Sequence, residues 1–358
     1  MSKPALSRRA FLHRTSLASA AALAFPSVSR AQAGASPNNK LNLAVVGCGG
    51  RGNAHITAFK DENLVAFCDV DEARAARAYK EHASVARFRD YRVMLEKLGN
   101  QIDAVSIATP DHMHFPVAMA AMALGKHVFV EKPIAHTVWE AREMARVARE
   151  KKLATQMGNQ GHAGEGTRLL KEWIDAGVLG DVREVHSWTD RPIWPQGVSA
   201  PDHSKLLPVV PPTLDWDLWL GVAPARAFDP AYVPFNWRGY YDFGTGAVGD
   251  MACHQLDAAY WALGLTQPVS IEATSAKASA VSWPTASIIT FRFAARGAQP
   301  PVTIKWYDGN LQPPRPPELE PERTLPANAT LIVGTKATVL ADANNFSIRI
   351  VKIGRAHV

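Results

Sequence analysis

The sequence predicts an α/β protein: an N-terminal doubly wound parallel sheet, then an α+β domain with a large, open, mostly antiparallel sheet. Three observations carry this. Residues 41–158 alternate short apolar runs with helical patterns. A G-x-G-x-x-G pattern sits between the first run and the first helix. Beyond residue 269, short alternating runs follow one another with little helix between them. The length of 358 residues fits two domains better than one. A composition of 47% apolar and 20% charged residues excludes a disordered or collagen-like chain.

In the first half, strands are expected at Leu41–Val46, Leu64–Val70, Ala104–Ala108, His127–Glu131 and Leu153–Met157. Helical patterns fill 53–60, 71–82, 91–98, 115–124 and 137–150. Near-continuous apolar strands indicate a parallel sheet covered on both faces, and right-handed crossovers make it doubly wound. In the second half, a helix at Glu165–Ala176 precedes a strand at Val182–Ser187. Residues 190–245, rich in Pro, Trp, Tyr and Gly, read as a long ordered loop. A helix over 247–263 follows, then strands at 269–278, 286–294, 301–307, 330–333, 337–341 and 346–351. Six prolines between 312 and 326 mark a loop.

The ends read differently. Five of the 39 basic residues and none of the 33 acidic ones lie in residues 1–33; the remaining 34 against 33 leave one net positive charge. The body of the chain is therefore balanced and offers no footprint for nucleic acid. Ser7-Arg8-Arg9-Ala10-Phe11-Leu12, a weakly apolar stretch to Phe25 and the small-residue site Ala31-Gln32-Ala33 form a twin-arginine export pattern. The expected location is periplasmic or extracellular. No run of 18 apolar residues predicts a membrane-spanning helix. Residues 353–358, Ile-Gly-Arg-Ala-His-Val, resemble a translated sequencing adapter, so the natural chain is expected to continue past Lys352. The expected organisation is a signal peptide (1–33), a dinucleotide-binding domain (34–160), a substrate and oligomerisation domain (161–352) and the tail. Cys48, Cys68 and Cys253 lie among apolar or small residues and read as inert buried thiols.

Gly47-Cys48-Gly49-Gly50-Arg51-Gly52 carries the first chemistry. Following a strand and opening a helix, with Asp69 placed 17 residues beyond Gly52, it is a dinucleotide fingerprint. Gly47 allows the tight turn, Gly49 admits a pyrophosphate, and Gly52 lets helix and strand pack closely. The helix N-terminus offers N–H groups and the positive dipole end to the phosphates. Asp69 accepts from a ribose hydroxyl and repels a 2′-phosphate, favouring NAD(H). Arg51 keeps NADP(H) open, since an arginine here reaches phosphate.

Further along, Ala108-Thr109-Pro110, His114, Gly125-Lys126-His127-Val128 and Glu131-Lys132-Pro133 together resemble the Gfo/Idh/MocA oxidoreductases, over about residues 40–350. The resemblance implies that Gly50, Thr109, Pro110, His114, Glu131 and Lys132 border the cofactor, with Lys132 beside the nicotinamide and the reacting carbinol. It also implies an Asp and a His four residues apart, matched here by Asp250 and His254. Their i, i+4 spacing places both on one helix face. A homo-oligomer, dimer or tetramer, formed through the open sheet is likewise implied.

The expected activity is oxidation at the CH–OH group of a sugar, polyol or sugar derivative with tightly held cofactor. His254 is the expected general base. Asp250 orients substrate or ring, and Lys132 holds the substrate oxygen. Trp237 and Arg238, nearest this pair in an aromatic-rich segment, are the substrate-contact candidates; most of the other rings are expected to pack the loop. His112 and His114 form H-x-H, but no third ligand has metal-site spacing, so no metal is assigned. Two alternatives compete: a glycosidase working by transient oxidation, and a non-catalytic nucleotide or sugar sensor. Retention of Lys132, Asp250 and His254 together favours the oxidoreductase.

Overall fold

The computed structural model describes residues 40–353, apart from 205, 206 and 318. The export signal and residues 354–358 of the expected tail lie outside the described residues. Six parallel strands form the first sheet: β1 (Asn42–Val46), β2 (Asn63–Cys68), β3 (Ala86–Phe88), β4 (Ala104–Ile107), β5 (His127–Glu131) and β6 (Thr155–Gly158). Their order is β3-β2-β1-β4-β5-β6, so the chain reverses direction of winding between β1 and β4. That crevice, at the carboxyl ends of the strands, is where open α/β sheets bind ligands.

Helices α1 (Arg51–Ala58), α2 (Glu72–Glu81), α3 (Tyr91–Leu98), α4 (His114–Ala123) and α5 (Val138–Lys151) are the crossovers. Asp71 and Asp90 cap α2 and α3, and Thr137 with Glu140 makes a capping box on α5. The sheet is apolar on both faces. Ala44, Val105 and Val130 pack into one core and Val45, Phe67 and Ala75 into another.

The second sheet has seven strands: β7 (Val182–Trp188), β8 (Ser270–Ala276), β9 (Ala286–Phe293), β10 (Val302–Tyr307), β11 (Ala329–Gly334), β12 (Ala337–Asp342) and β13 (Ile348–Ile353). The order is β13-β12-β11-β7-β10-β9-β8. Only β7 and β10 pair in parallel; the other five pairings are antiparallel. Helices α6 (Glu165–Asp175) and α9 (Asp257–Ala262) cover one face through Leu170, Ala258 and Ala259, against Val185, Ile304 and Ile332. An aromatic cluster of Trp219, Phe228, Tyr232, Trp237, Tyr240 and Phe243 gives the 210–245 segment its own core.

Several elements depart from expectation. The strand β3 and the short helix α7 (Trp216–Leu220) were not legible. The helix expected over 247–263 is two, α8 (Gly246–Gln255) and α9, broken at Leu256. Strand β2 ends at Cys68, leaving Asp69 on the turn. Strand β13 runs through Ile353, one residue into the expected tail. Cys48 and Cys68 are buried, Cys253 is half-buried, and none is bonded to another. Burial holds all three thiols well above their ordinary pKa. Among the described residues no helix is long and apolar enough to cross a membrane.

The join of β1 to α1 admits no side chain. A Cβ on Gly52 would stand 1.8 Å from the Gly47 carbonyl oxygen, which is backbone and cannot rotate away. Gly52→Ala is therefore expected to cost about 1–3 kcal/mol or more through overpacking. Thermal unfolding should show a lowered Tm, and calorimetry a loss of dinucleotide binding.

Candidate active site

Nearly every site residue from the first half stands at the carboxyl end of a parallel strand. Gly47–Arg51 follow β1, Asp69 follows β2, Thr109 and Pro110 follow β4, Glu131 and Lys132 end and follow β5, and Asn159 follows β6. Helix α8 of the second half closes over them. Between lies a cleft of about 1040 Å³ lined by Gly47, Gly49, Gly50, Arg51, Asp69, Thr109, Pro110, Glu131, Lys132, Trp237, Arg238, Asp250 and His254.

The glycine loop is built for a close approach. Gly47 has φ +82°, and a Cβ there would meet the Ala108 carbonyl oxygen at 2.6 Å. Gly50, at φ +51°, leads into α1. Asp69, expected at a ribose, is bonded to the loop itself. Its Oδ2 accepts from the N–H groups of Cys48 (2.8 Å) and Gly49 (3.1 Å), and its Oδ1 from Asp71 N–H (3.0 Å). It thus fixes the loop that a pyrophosphate would meet, and desolvation raises its carboxyl above the usual range despite those bonds. Beside Gly49 and Gly50 lies Arg74 of α2, a cleft residue that motif reading did not find.

Glu131 anchors the loop from below. Its Oε1 accepts from Arg51 Nε (2.6 Å) and lies 2.9 Å from His55 Nε2. Desolvation would raise this carboxyl, but the bonds to His55 and Arg51 overcome it and hold it down at about 2. Arg51 is thereby tethered by Nε, while its terminal nitrogens have no partner among the described residues.

At the other end Lys132 reaches α8. Its Nζ donates to Asp250 Oδ1 (2.8 Å) and to the Asp250 carbonyl (2.9 Å). Arg238 approaches the same carboxylate oxygen at 3.4 Å and lies over the Trp237 ring at 4.2 Å. Burial would push the Asp250 carboxyl up; Lys132, then Arg238, reverse this and leave it lowered.

His254 is buried and oriented by Asn159, a residue the sequence did not single out. Asn159 Nδ2 donates to the Cys253 carbonyl (2.8 Å), so its Oδ1 is the acceptor 2.8 Å from His254 Nδ1. The hydrogen of the neutral ring then sits on Nδ1, and Nε2 keeps its lone pair. Burial, followed by the like charge of Lys132, lowers the pKa of His254 to about 4.

His114 departs from expectation. It is buried and does not line the cleft; its ring nitrogens lie 2.7 Å from the Pro133 carbonyl and 2.9 Å from that of Thr109. It lies between the loop after β4 and the loop after β5. His112 lies against the carbonyls of Phe243 (3.3 Å) and Trp219 (3.1 Å). Gly52 also stays out of the cleft, packed on Gly47. Among the described residues no cluster of three or more His, Cys, Asp or Glu is placed to hold a metal.

Comparison with known proteins agrees with this geometry. Residues 41–159 match the model "Oxidoreductase family, NAD-binding Rossmann fold" and residues 168–299 match "Oxidoreductase family, C-terminal alpha/beta domain", both of Gfo/Idh/MocA type. The chain belongs to the Gfo/Idh/MocA oxidoreductase family. Its N-terminal part is an NAD-binding Rossmann domain. The chain is similar to levoglucosan dehydrogenase of Pseudarthrobacter phenanthrenivorans, at 25% identity over 63% of this chain and 51% of that one. It is similar also to D-glucoside 3-dehydrogenase of Escherichia coli, at 27% identity over 66% and 58%. It spans about half the length of these curated relatives. In fold it resembles the WlbA dehydrogenase of Bordetella pertussis solved with NADH and UDP-GlcNAcA: TM-score 0.61, 21% identity, 89% of this chain and 85% of that one.

The His254 environment gives a signed expectation. Lys132→Gln removes the like charge but leaves the burial, so the pKa of His254 should rise from about 4 and stay below its ordinary value of 6.5. A histidine-resolved NMR titration measures it. In the parent protein the unfolded chain binds the additional proton between pH 6.5 and about 4, so stability should fall as pH falls through that window.

Proposed function

We propose that the protein is an NAD(H)-dependent oxidoreductase acting on the CH–OH group of a sugar, polyol or sugar derivative. The observation that carries this is the convergence of Lys132, Asp250 and His254 in the same cleft as the glycine loop. The loop fits the dinucleotide: no side chain at Gly47 or Gly49 is sterically possible without displacing Ala108 or Arg74, and the N–H groups of Gly50 and Arg51 have no acceptor among the described residues. Gly47–Gly50, Asp69 and Arg51 would hold it. When bound, the nicotinamide supplies hydride exchange.

The protein's own residues do the rest. Lys132 presents its ammonium to the substrate oxygen and stabilises negative charge as the proton leaves. His254 Nε2 accepts that proton, and Asn159 keeps the ring in the tautomer that can do so. Asp250 holds the Lys132 ammonium in place. Trp237 offers a flat apolar face and Arg238 a donor to sugar hydroxyls. Near the reacting end Lys132 and Arg238 share the single carboxylate of Asp250, and Arg191 pairs with Asp190. The relatives that act on levoglucosan and on D-glucosides support the sugar class.

Tight retention of the cofactor is part of the proposal. Residues 211–222 line the cleft and are tied down at both ends. Near the ribose side, Glu72 N–H donates to Thr213 (3.0 Å) and Asp215 N–H to Val70 (2.9 Å). Near the reacting side, His112 lies against the Trp219 carbonyl. The twin-arginine pattern of residues 7–33 supports export of the folded, loaded protein.

The test is to purify the protein without added nucleotide, denature it, and assay the released NAD(H). A panel of neutral sugars and polyols then follows, read by nicotinamide absorbance. Near-stoichiometric NAD(H) and turnover are expected. Lys132→Ala and His254→Ala should each lose roughly 10²–10⁴-fold in kcat with the dinucleotide still bound. Near-normal turnover in both variants would sink the assignment. Because neutral His254 is the base, the acid limb of kcat/KM should fall near pH 4, not near 6.5.

A further inference from the structure

The joint between the two halves of the cleft rests on a carboxylate that the mechanism above does not use. Asp111 belongs to the loop after β4 and is buried. Its Oδ2 accepts from the Thr245 hydroxyl (2.7 Å) and from the Thr245 N–H (3.1 Å). Thr245 is the residue immediately before α8, the helix that carries Asp250 and His254.

Threonine in that position ordinarily turns its oxygen back to accept from the first turn of its own helix, worth about 1 kcal/mol. Here it makes no such bond. Its hydroxyl is given to Asp111 across the two halves of the molecule. Gly249 makes room for this arrangement: a Cβ there would stand 2.0 Å from Thr245 Oγ1. A carboxylate at a helix N-terminus also meets the positive end of the dipole. One residue along, His112 N–H donates to the Phe243 carbonyl (3.2 Å), so the contact is two residues wide.

The same loop faces the cofactor. Thr109 and Pro110 line the cleft, and the His114 ring lies between the Thr109 carbonyl and that of Pro133, next to Lys132. We propose that Asp111 and Thr245 are a positioning joint, through which the dinucleotide loop sets the seat and rigidity of α8. Neither residue is catalytic. That the groups so positioned react with a carbinol rests on the preceding reading; the joint itself does not.

Amide hydrogen exchange tests it on the folded full chain without any substrate. In the nucleotide-free protein, Asp111→Ala and Thr245→Val should each speed exchange in Gly246–Gln255 by roughly tenfold or more, with α6 and the first sheet unchanged. Thr245→Ser, which keeps the hydroxyl, should restore wild-type rates. The double variant should match Asp111→Ala, which removes both bonds, because Thr245→Val alone leaves the backbone N–H bond in place. Added NAD⁺ should slow exchange in α8 of the wild type and of Thr245→Ser. In Asp111→Ala and Thr245→Val it should still bind within roughly threefold of wild type and protect the glycine loop, but no longer α8.

Wild-type exchange of α8 in Asp111→Ala overturns the joint, as does NAD⁺ protection of α8 that survives its loss. A general drop in Tm with exchange raised across both sheets marks a purely structural role and also overturns it. A wild type that binds no NAD⁺ defeats the functional reading instead, and the nucleotide-free exchange still decides the joint.

Discussion

The Lys132 ammonium sits between the carboxylate and the main-chain carbonyl of Asp250, with both side chains largely out of water. Withdrawing two charges from solvent is costly, and removing one partner of such a pair strands the other. The contact is therefore worth less as stabilisation than as register: it holds the end of β5 against α8. Three further features depend on it. Asp250 stays ionised despite burial, Arg238 is drawn in from the aromatic segment, and His254 feels a neighbouring positive charge that helps keep its ring neutral. Moving α8 by one residue would undo all three at once.

What the sequence made legible follows from what is local. The glycine loop could be read because strand, turn and helix are contiguous, although the steric needs of Gly49 and Gly50 are set by Arg74 of α2, well along the chain. Asp250 and His254 could be placed together because a helix fixes i and i+4 on one face. Lys132 came from resemblance, not from spacing. The unread residues are those defined by distant partners. Asn159 meets His254, and Asp111 meets Thr245, across long stretches of chain with no period to announce them. A signal for Asn159 did exist: it follows the carboxyl end of a parallel strand, where ligands gather. Strand β3, three half-exposed residues, is too short for a period to register. The parallel pairing of β7 with β10 is a matter of topology that alternation cannot reveal. The break at Leu256 carries no proline or glycine to mark it.

The two histidines of His112-x-His114 show why a pair of ligand-type residues is weak evidence for a metal. Their four ring nitrogens lie against backbone carbonyls from four separate segments. Buried carbonyls need partners, and a neutral imidazole, with its single N–H, donates to one of the two carbonyls it faces and packs against the other. This loop after β4 lies at the point where the winding of the first sheet reverses. It touches the β5 loop, the residues leading into α8, and the segment carrying α7. The sequence expected His114 beside the cofactor; in the structure its ring is buried between two carbonyls and does not line the cleft.

The segment over 211–222 sharpens the question of how this cleft opens. It is held near Asp69 by two backbone bonds that extend the turn after β2, and near the reacting end by His112 and by Gly221, whose backbone packs on Met113. A hinged lid has one fixed end and one that swings; here both ends are fixed. Trp216 stacks on Trp219 at 4.8 Å, and Trp219 packs edge-on against Phe243, so the middle is held to the aromatic core as well. Each neutral hydrogen bond contributes only about 0.5–1.5 kcal/mol net, but releasing the segment must break several of them together with the apolar contacts. Releasing the segment would then be a concerted local unfolding and not a rotation. A dinucleotide that entered before this segment closed would be held by the protein's own fold, and its redox state would have to be restored in place by a second substrate.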